Sequence, residues 1–330
     1  MSNTVSIGLS PGCGLEWFAP LAVGLIMFRI GIDLGGTKIE GIVLEAEGTR
    51  LHQGSGAARE LFRRRVDTRQ EKGYEHILGR IKELHDELAA HIQNQPHTFG
   101  IGTPGATSPR TGRLKNSNTV CMNGRPVKSD LEKILGRKIE IQNDANCFAL
   151  AEALHGAGRG KKLVFGVIMG TGCGGGIVHQ GGVITGPQAI AGEWGHMSLH
   201  PDGPLCYCGQ RGCVETYISG GGLETRYAEQ FGVKRPFKEI VQDYYAGDVK
   251  TVEFMKVFFR HFGRAVANLI DVLDPDVVVL GGGVSNFDAL YTEGVAQVAK
   301  QVFSDSLETP IVKHQLGDSA GVIGAALIGI

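Results

Sequence analysis

Apolar and polar positions along the chain predict strands that end in glycine-rich turns, with helices between them. Two β-branched runs, FRIGID at 28–33 and IEGIVL at 39–44, flank Leu34, Gly35, Gly36, Thr37 and Lys38. Apolar runs joined by a Gly-Gly turn predict a β-hairpin. Ile77, Ile81, Leu84 and Leu88 recur at helical spacing, so residues 71–93 are expected to form an amphipathic helix packed on a sheet. Next come a strand ending in Gly102, Thr103, Pro104 and Gly105, and a short helix opened by the capping box Ser129-x-x-Glu132. A strand over 138–142 then runs into Asn143-Asp144-Ala-Asn146, and the following AEAL pattern is helical. Asp144 therefore sits at a strand-to-helix junction, where the field of the helix N-terminus favours a carboxylate. A buried strand over 163–169 leads into a second glycine run, and residues 177–184 read as another hairpin. Finally DVVVL at 276–280 precedes Gly281, Gly282 and Gly283, with a helical pattern from Asp288.

Glycine turns after strands bring backbone N–H groups close to an anion. In the first turn, Thr37 adds a hydroxyl and Lys38 a positive charge, while Asp33 at the strand end can hold a phosphate-bound Mg²⁺ through water. The second run, Gly170, Thr171, Gly172, Cys173, Gly174, Gly175, Gly176, matches GxGxxG. That dinucleotide fingerprint requires a helix after the loop, and the hairpin pattern here excludes it. What remains is a second phosphate turn between strands, with the Gly281 to Gly283 turn able to let a flat purine lie on the backbone. No GxxxxGK[ST] occurs, so the pattern describes a nucleotide cleft between two similar α/β halves and not a P-loop.

Composition narrows the function classes. With 42% hydrophobic residues, 20% charged residues and a formal charge of -1 over 330 residues, the chain reads as a soluble globular protein of about two domains. The longest basic run is Arg63 to Arg65, which argues against nucleic acid as a partner. The apolar stretch 17–28 contains Pro20, is too short to span a bilayer and lacks the positive flank of a signal peptide, so no membrane partner is expected. Residues 1–26 are expected to be an extension outside the fold. Seven cysteines without an export signal point to a reduced, cytoplasmic setting. There the run CYCGQRGC reads as a metal site: Cys206, Cys208 and Cys213 supply three thiolates, and structural Zn²⁺ takes four ligands. His200 and His196 are the upstream candidates for the fourth. His196 is favoured, because it lies in Gly192-Glu-Trp-Gly-His196 beside a carboxylate and among glycines. Such a closed site would fix the loops carrying Glu193 and Glu215, which could hydrogen-bond a polyol.

Taken in order, DLGGTK, GTPG, NDAN, GTGCGGG, EWGH and CYCGQRGCVE resemble the motifs of the ROK family of sugar kinases and sugar-responsive repressors, over residues 27–330. The resemblance implies an actin-like ATPase (ribonuclease H-like) α/β fold with an interdomain cleft. Its small domain would comprise 27–143 plus about 317–330, and its large domain 144–316. It implies Asp144 as catalytic base, with Thr103, Gly105, Asn118, Asn143, Glu193, His196 and Glu215 against the sugar. ATP would lie on Gly31, Ile32, Asp33, Leu34, Gly35, Gly36, Thr37 and Lys38, on residues 170–176 with Ile177, and on Gly281, Gly282 and Gly283. Mg²⁺ would accompany ATP, and structural Zn²⁺ would be held by His196, Cys206, Cys208 and Cys213. The expected protein is a homodimeric, ATP-dependent hexose kinase. LKNSNTVCMNGRPVKSDL and EWGH look most like bacterial fructokinases, whereas NDANCFAL is equally similar to N-acetylglucosamine kinases. Only nine residues separate His196 from Cys206, where N-acetylglucosamine kinases usually have a longer loop, so fructose is the first expectation. N-acetylglucosamine, N-acetylmannosamine and glucose are the alternatives. A family repressor carries a helix-turn-helix ahead of the kinase-like part, and no pair of amphipathic helices can be read in residues 1–26.

Overall fold

The computed structural model describes residues 26–47 and 58–329, so almost all of the stretch read as an N-terminal extension lies outside the described residues. The chain first lays down β1 (Ile26–Leu34), β2 (Lys38–Glu47), β3 (Arg59–Asp67), α1 (Tyr74–His91) and β4 (His97–Thr103). The short pair β5 (Ala106–Thr107) and β6 (Leu114–Lys115), then α2 (Val127–Leu135), β7 (Glu140–Asn143) and α3 (Asp144–His155), follow. The second half holds β8 (Leu163–Met169), β9 (Cys173–His179), β10 (Gly182–Ile184), α4 (Glu215–Ile218), α5 (Gly220–Phe231), α6 (Phe237–Tyr245) and α7 (Val249–Leu273). It closes with β11 (Val277–Gly281), α8 (Glu293–Ala299), β12 (Ile311–Lys313) and α9 (Ala320–Ile328).

These strands form two five-stranded sheets, ordered β3-β2-β1-β4-β7 and β10-β9-β8-β11-β12. In both, two antiparallel pairs are followed by two parallel pairs. The halves are therefore built alike, although no repeat is visible in the sequence. The apolar stripe of α1 packs on the first sheet, with Ile77, Ile81, Leu84 and Leu88 fully buried. Phe254, Phe258, Phe259 and Phe262 of α7 do the same for the second sheet.

The helices that follow the last strands are exchanged. Helix α3 leaves the first sheet and packs on β8 and β9, whereas α9 leaves the second sheet and packs on β1 and β4. The two helices meet where Gly324 faces the backbone of Cys147. A β-carbon at Gly324 would lie 1.8 Å from that carbonyl oxygen, so only glycine allows the approach.

Three expected boundaries move. Residues 70–72 form a 3₁₀ turn and Gly73 has φ +84°, which delays α1 to Tyr74. Helix α2 starts at Val127, because Pro126 occupies the cap position and fixes the entry angle. Ser129 thus falls inside the first turn, and Glu132 accepts from the Ile139 amide instead of closing a capping box. The pattern from Asp288 is a 3₁₀ turn, with the α-helix starting at Glu293.

Candidate active site

The C-terminal ends of the parallel strands β1, β4 and β7 lie side by side, the edge at which ligands bind in open α/β sheets. Asp33 pairs with Gly102, and Thr103 pairs with Asn143. Asn143 caps α3 by accepting from the Ala145 amide at 2.9 Å, and its own amide donates to the Gly105 carbonyl at 3.1 Å. One side chain thereby joins the β4 loop to the start of α3. Asp144, the first residue of α3, accepts from the same Ala145 amide through Oδ1 at 2.9 Å. Withdrawal from water pushes its pKa up to about 6, with a further push from Glu193 and an opposing pull from the Ala145 amide.

Asp33 is raised further, to about 7, by burial and by the charges of Asp144 and Glu40. Glu40 is itself buried and paired with Arg65 at 2.9 Å and Arg63 at 3.4 Å. The charges of Asp144 and Glu40 raise the cost of ionising Asp33, a cost that a divalent cation held by Asp33 through water would relieve.

Glycine turns form at both places where phosphate was expected. In the first, the Gly35 amide donates to the Lys38 carbonyl at 3.0 Å, and Thr68 Oγ1 donates to the Gly35 carbonyl at 2.7 Å. Thr37 and Lys38 are exposed. Gly31, Ile32 and Leu34, expected to lie against ATP, are buried in β1, with Gly31 facing the backbone of Val322 and Ala326 in α9. In the second turn only Gly170, Thr171 and Gly172 lie between strands. Cys173, Gly174, Gly175, Gly176 and Ile177 belong to β9, and a β-carbon at Gly176 would come within 2.7 Å of the Ala145 carbonyl. At Gly175 the missing side chain makes room for the Phe165 and Trp194 rings, and at Gly176 for the start of α3.

Three elements converge on the Gly170 to Gly172 turn. The Gly220 and Gly221 amides at the start of α5 donate to the Gly170 and Thr171 carbonyls at 2.8 and 3.2 Å. Gly282, with φ +80°, sits against the Met169 carbonyl, while Gly283 is open. Glu215 Oε2 accepts from the Cys173 amide at 2.8 Å, tying the cysteine-rich loop to this turn. The sequence reading missed the helix start at Gly220. Its signal was Ser219 before three glycines, and the Ser219 hydroxyl does accept from the Gly222 amide at 3.0 Å.

The ligand atoms of His196, Cys206, Cys208 and Cys213 all lie within 4.8 Å of one another. Cys208 and Cys213 sulfurs are 3.6 Å apart, and Cys206 Sγ is 3.7 Å from His196 Nδ1. A tetrahedron with Zn–S of ~2.3 Å has sulfur edges of roughly 3.8 Å, so this donor set fits zinc. His200 is not part of the cluster; its ring packs on Tyr217 and His261. Glu193 and His196 lie on one 3₁₀ turn, Glu193 at its cap position and His196 at its end.

Asn118 is exposed on the loop between β6 and α2. Reciprocal bonds of 2.8 Å between Ser117 and Asn123 shape that loop, and Lys115 Nζ reaches across to the Gln188 carbonyl at 2.8 Å. Thr103 is fully buried with its hydroxyl unpartnered, so it faces the interior and not an open surface. A cavity of about 410 Å³ adjoins Thr171, Leu205, Tyr207, Glu215 and Arg226. Amide-lined turns beside a cluster of carboxylates can orient a polyphosphate and accept a proton from a hydroxyl, which are the two requirements of phosphoryl transfer.

Residues 29–329 match the model of the ROK family. An N-acetyl-D-glucosamine kinase of Photobacterium profundum is 39% identical over 311 residues, covering 91% of this chain and 98% of that protein. The enzyme of the same name from Pasteurella multocida is 38% identical over 312 residues, with 91% and 98% covered. A solved ROK hexokinase from Thermus thermophilus superposes with TM-score 0.78 at 32% identity, covering 92% of this chain and 98% of that one. A ROK glucokinase from Streptomyces griseus, solved with glucose and AMPPNP, gives TM-score 0.73 at 27% identity, with 92% and 99% covered.

Proposed function

The chain belongs to the ROK family and is an ATP-dependent sugar kinase of actin-like fold, and we propose that its acceptor is N-acetyl-D-glucosamine. The observation that carries the acceptor is the likeness to N-acetyl-D-glucosamine kinases at 35 to 39% identity over 90 to 91% of the chain. That likeness supports the alternative raised from the sequence better than it supports fructose. Fructose stands as the second reading, favoured by the nine residues between His196 and Cys206.

In the proposed reaction Asp144 accepts the proton of a sugar hydroxyl as that oxygen bonds to the γ-phosphorus. The bond from γ-phosphorus to the bridging oxygen breaks, and ADP leaves. Asp33 would hold Mg²⁺, which would supply positive charge against the phosphates on the Gly35 and Gly170 turns. Glu193, His196, Glu215, Asn143 and Asn118 bind the acceptor, and His196, Cys206, Cys208 and Cys213 would hold a zinc ion that fixes the loops bearing Glu193 and Glu215. Cleft closure excludes the water that would otherwise take the phosphoryl group.

An ADP-release assay with ATP and Mg²⁺ over N-acetylglucosamine, N-acetylmannosamine, glucose, mannose and fructose tests the acceptor. N-acetylglucosamine is expected to give the highest kcat/KM. A higher kcat/KM for fructose would overturn the choice and restore the second reading.

A further inference from the structure

His196 is asked to do two things in this site, and it has two ring nitrogens. Nδ1 points into the cysteine cluster, 3.7 Å from Cys206 Sγ. Nε2 lies 3.1 Å from the hydroxyl of Tyr207, with the rings edge to face at 5.2 Å and 84°. Once Nδ1 coordinates a metal, the ring proton resides on Nε2, which leaves the imidazole a single N–H to give. With the proton on Nε2, the Tyr207 oxygen is placed to accept it.

A sugar oxygen reaching His196 must take that same hydrogen. Two acceptors cannot both hold one N–H at full strength, so the acceptor and the Tyr207 hydroxyl compete. Tyr207 is easy to displace, because its residue is 78% exposed. It also lines the cavity of about 410 Å³ shared with Glu215 and Thr171, so its ring has open space to move into when the hydroxyl leaves His196.

We propose that the Tyr207 hydroxyl is a placeholder on His196 Nε2, displaced when the sugar binds, and that Tyr207 is thereby a positioning residue that lowers acceptor affinity. The inference rests on the reading of His196 as both metal ligand and sugar contact. It makes Tyr207 a brake on binding: in the empty site the hydroxyl keeps the N–H satisfied, and the sugar must replace that bond before it gains its own.

Tyr207→Phe removes the competing oxygen and keeps the ring. Calorimetric titration of N-acetylglucosamine into full-length, zinc-loaded protein is expected to show about 2- to 10-fold tighter binding in the variant, the range of one neutral hydrogen bond. The KM for the sugar should fall by the same factor, while the KM for ATP and the zinc content do not move. Unchanged or weaker sugar binding at full zinc content would overturn the proposal. So would zinc loss in the variant, which would make the hydroxyl a support for the metal. If wild-type protein binds none of the sugars in the acceptor panel, the functional reading itself falls, and the placeholder falls with it.

Discussion

Asp144 combines a position that favours its charge with surroundings that oppose it. The Ala145 amide stabilises the carboxylate, yet loss of water and the nearby Glu193 outweigh that bond and lift the pKa to about 6. The sign of the stability effect follows. In the unfolded chain the group titrates near 3.8, so folding favours the protonated form. Its contribution to stability is fully present below about pH 4 and is lost as pH rises through about 6. Asp144→Asn keeps the side chain neutral at every pH. The variant is therefore expected to melt above wild type at pH 8 and level with it at pH 4, as read by calorimetry. A variant that melts lower at pH 8 would show that the charge is not a burden on the fold. A proton acceptor ionised near neutral pH at a stability cost is what general base chemistry asks of this position.

At the scale of elements, the strands and turns were legible because the pattern is local: β-branched runs broken by paired glycines specify hairpins wherever they pack. The chemistry of individual glycines was not legible. Gly176 sits in a sequence that looks like loop, yet its missing side chain serves the packing of α3, a contact between residues far apart in sequence. The metal loop was readable from the spacing of Cys206, Cys208 and Cys213, and His196 was named for its neighbours in sequence. The role of Tyr207 was hidden because it depends on which imidazole nitrogen faces which partner. A metal ion on these four ligands would tie the turn bearing Glu193 to the start of α4 bearing Glu215, and Glu215 in turn holds the Cys173 amide. Cys208→Ala, measured by elemental analysis and calorimetry, is expected to lose the ~1 zinc per chain of a structural site. It should weaken sugar binding about tenfold or more while changing ATP binding less. Metal-free wild type with ordinary sugar affinity would contradict this.

Across the whole molecule, the exchange of α3 and α9 between two like-built sheets makes each half carry part of the other. The last strand of the first sheet, β7, ends at Asn143, and Asp144 opens the helix that packs on the second sheet, while Asp33 lies against the first turn of α9. Motion of one half therefore moves the proposed base relative to the phosphate turns, which is how domain closure can complete a catalytic site. The similarity of the two halves was invisible in the sequence, because it resides in strand order and not in residue identity. Which sugar fills the cleft was also beyond the sequence: one acetyl or hydroxyl group is discriminated by pocket geometry, and the motifs pointed to fructose where the relatives point to N-acetylglucosamine. The central claim is that Asp144 accepts the sugar proton during transfer from ATP. The most direct test is the kcat of Asp144→Asn with saturating N-acetylglucosamine and Mg²⁺-ATP, on protein shown by calorimetry to bind both. The account predicts a loss of ~10²- to 10⁴-fold. A kcat within a few fold of wild type would contradict it.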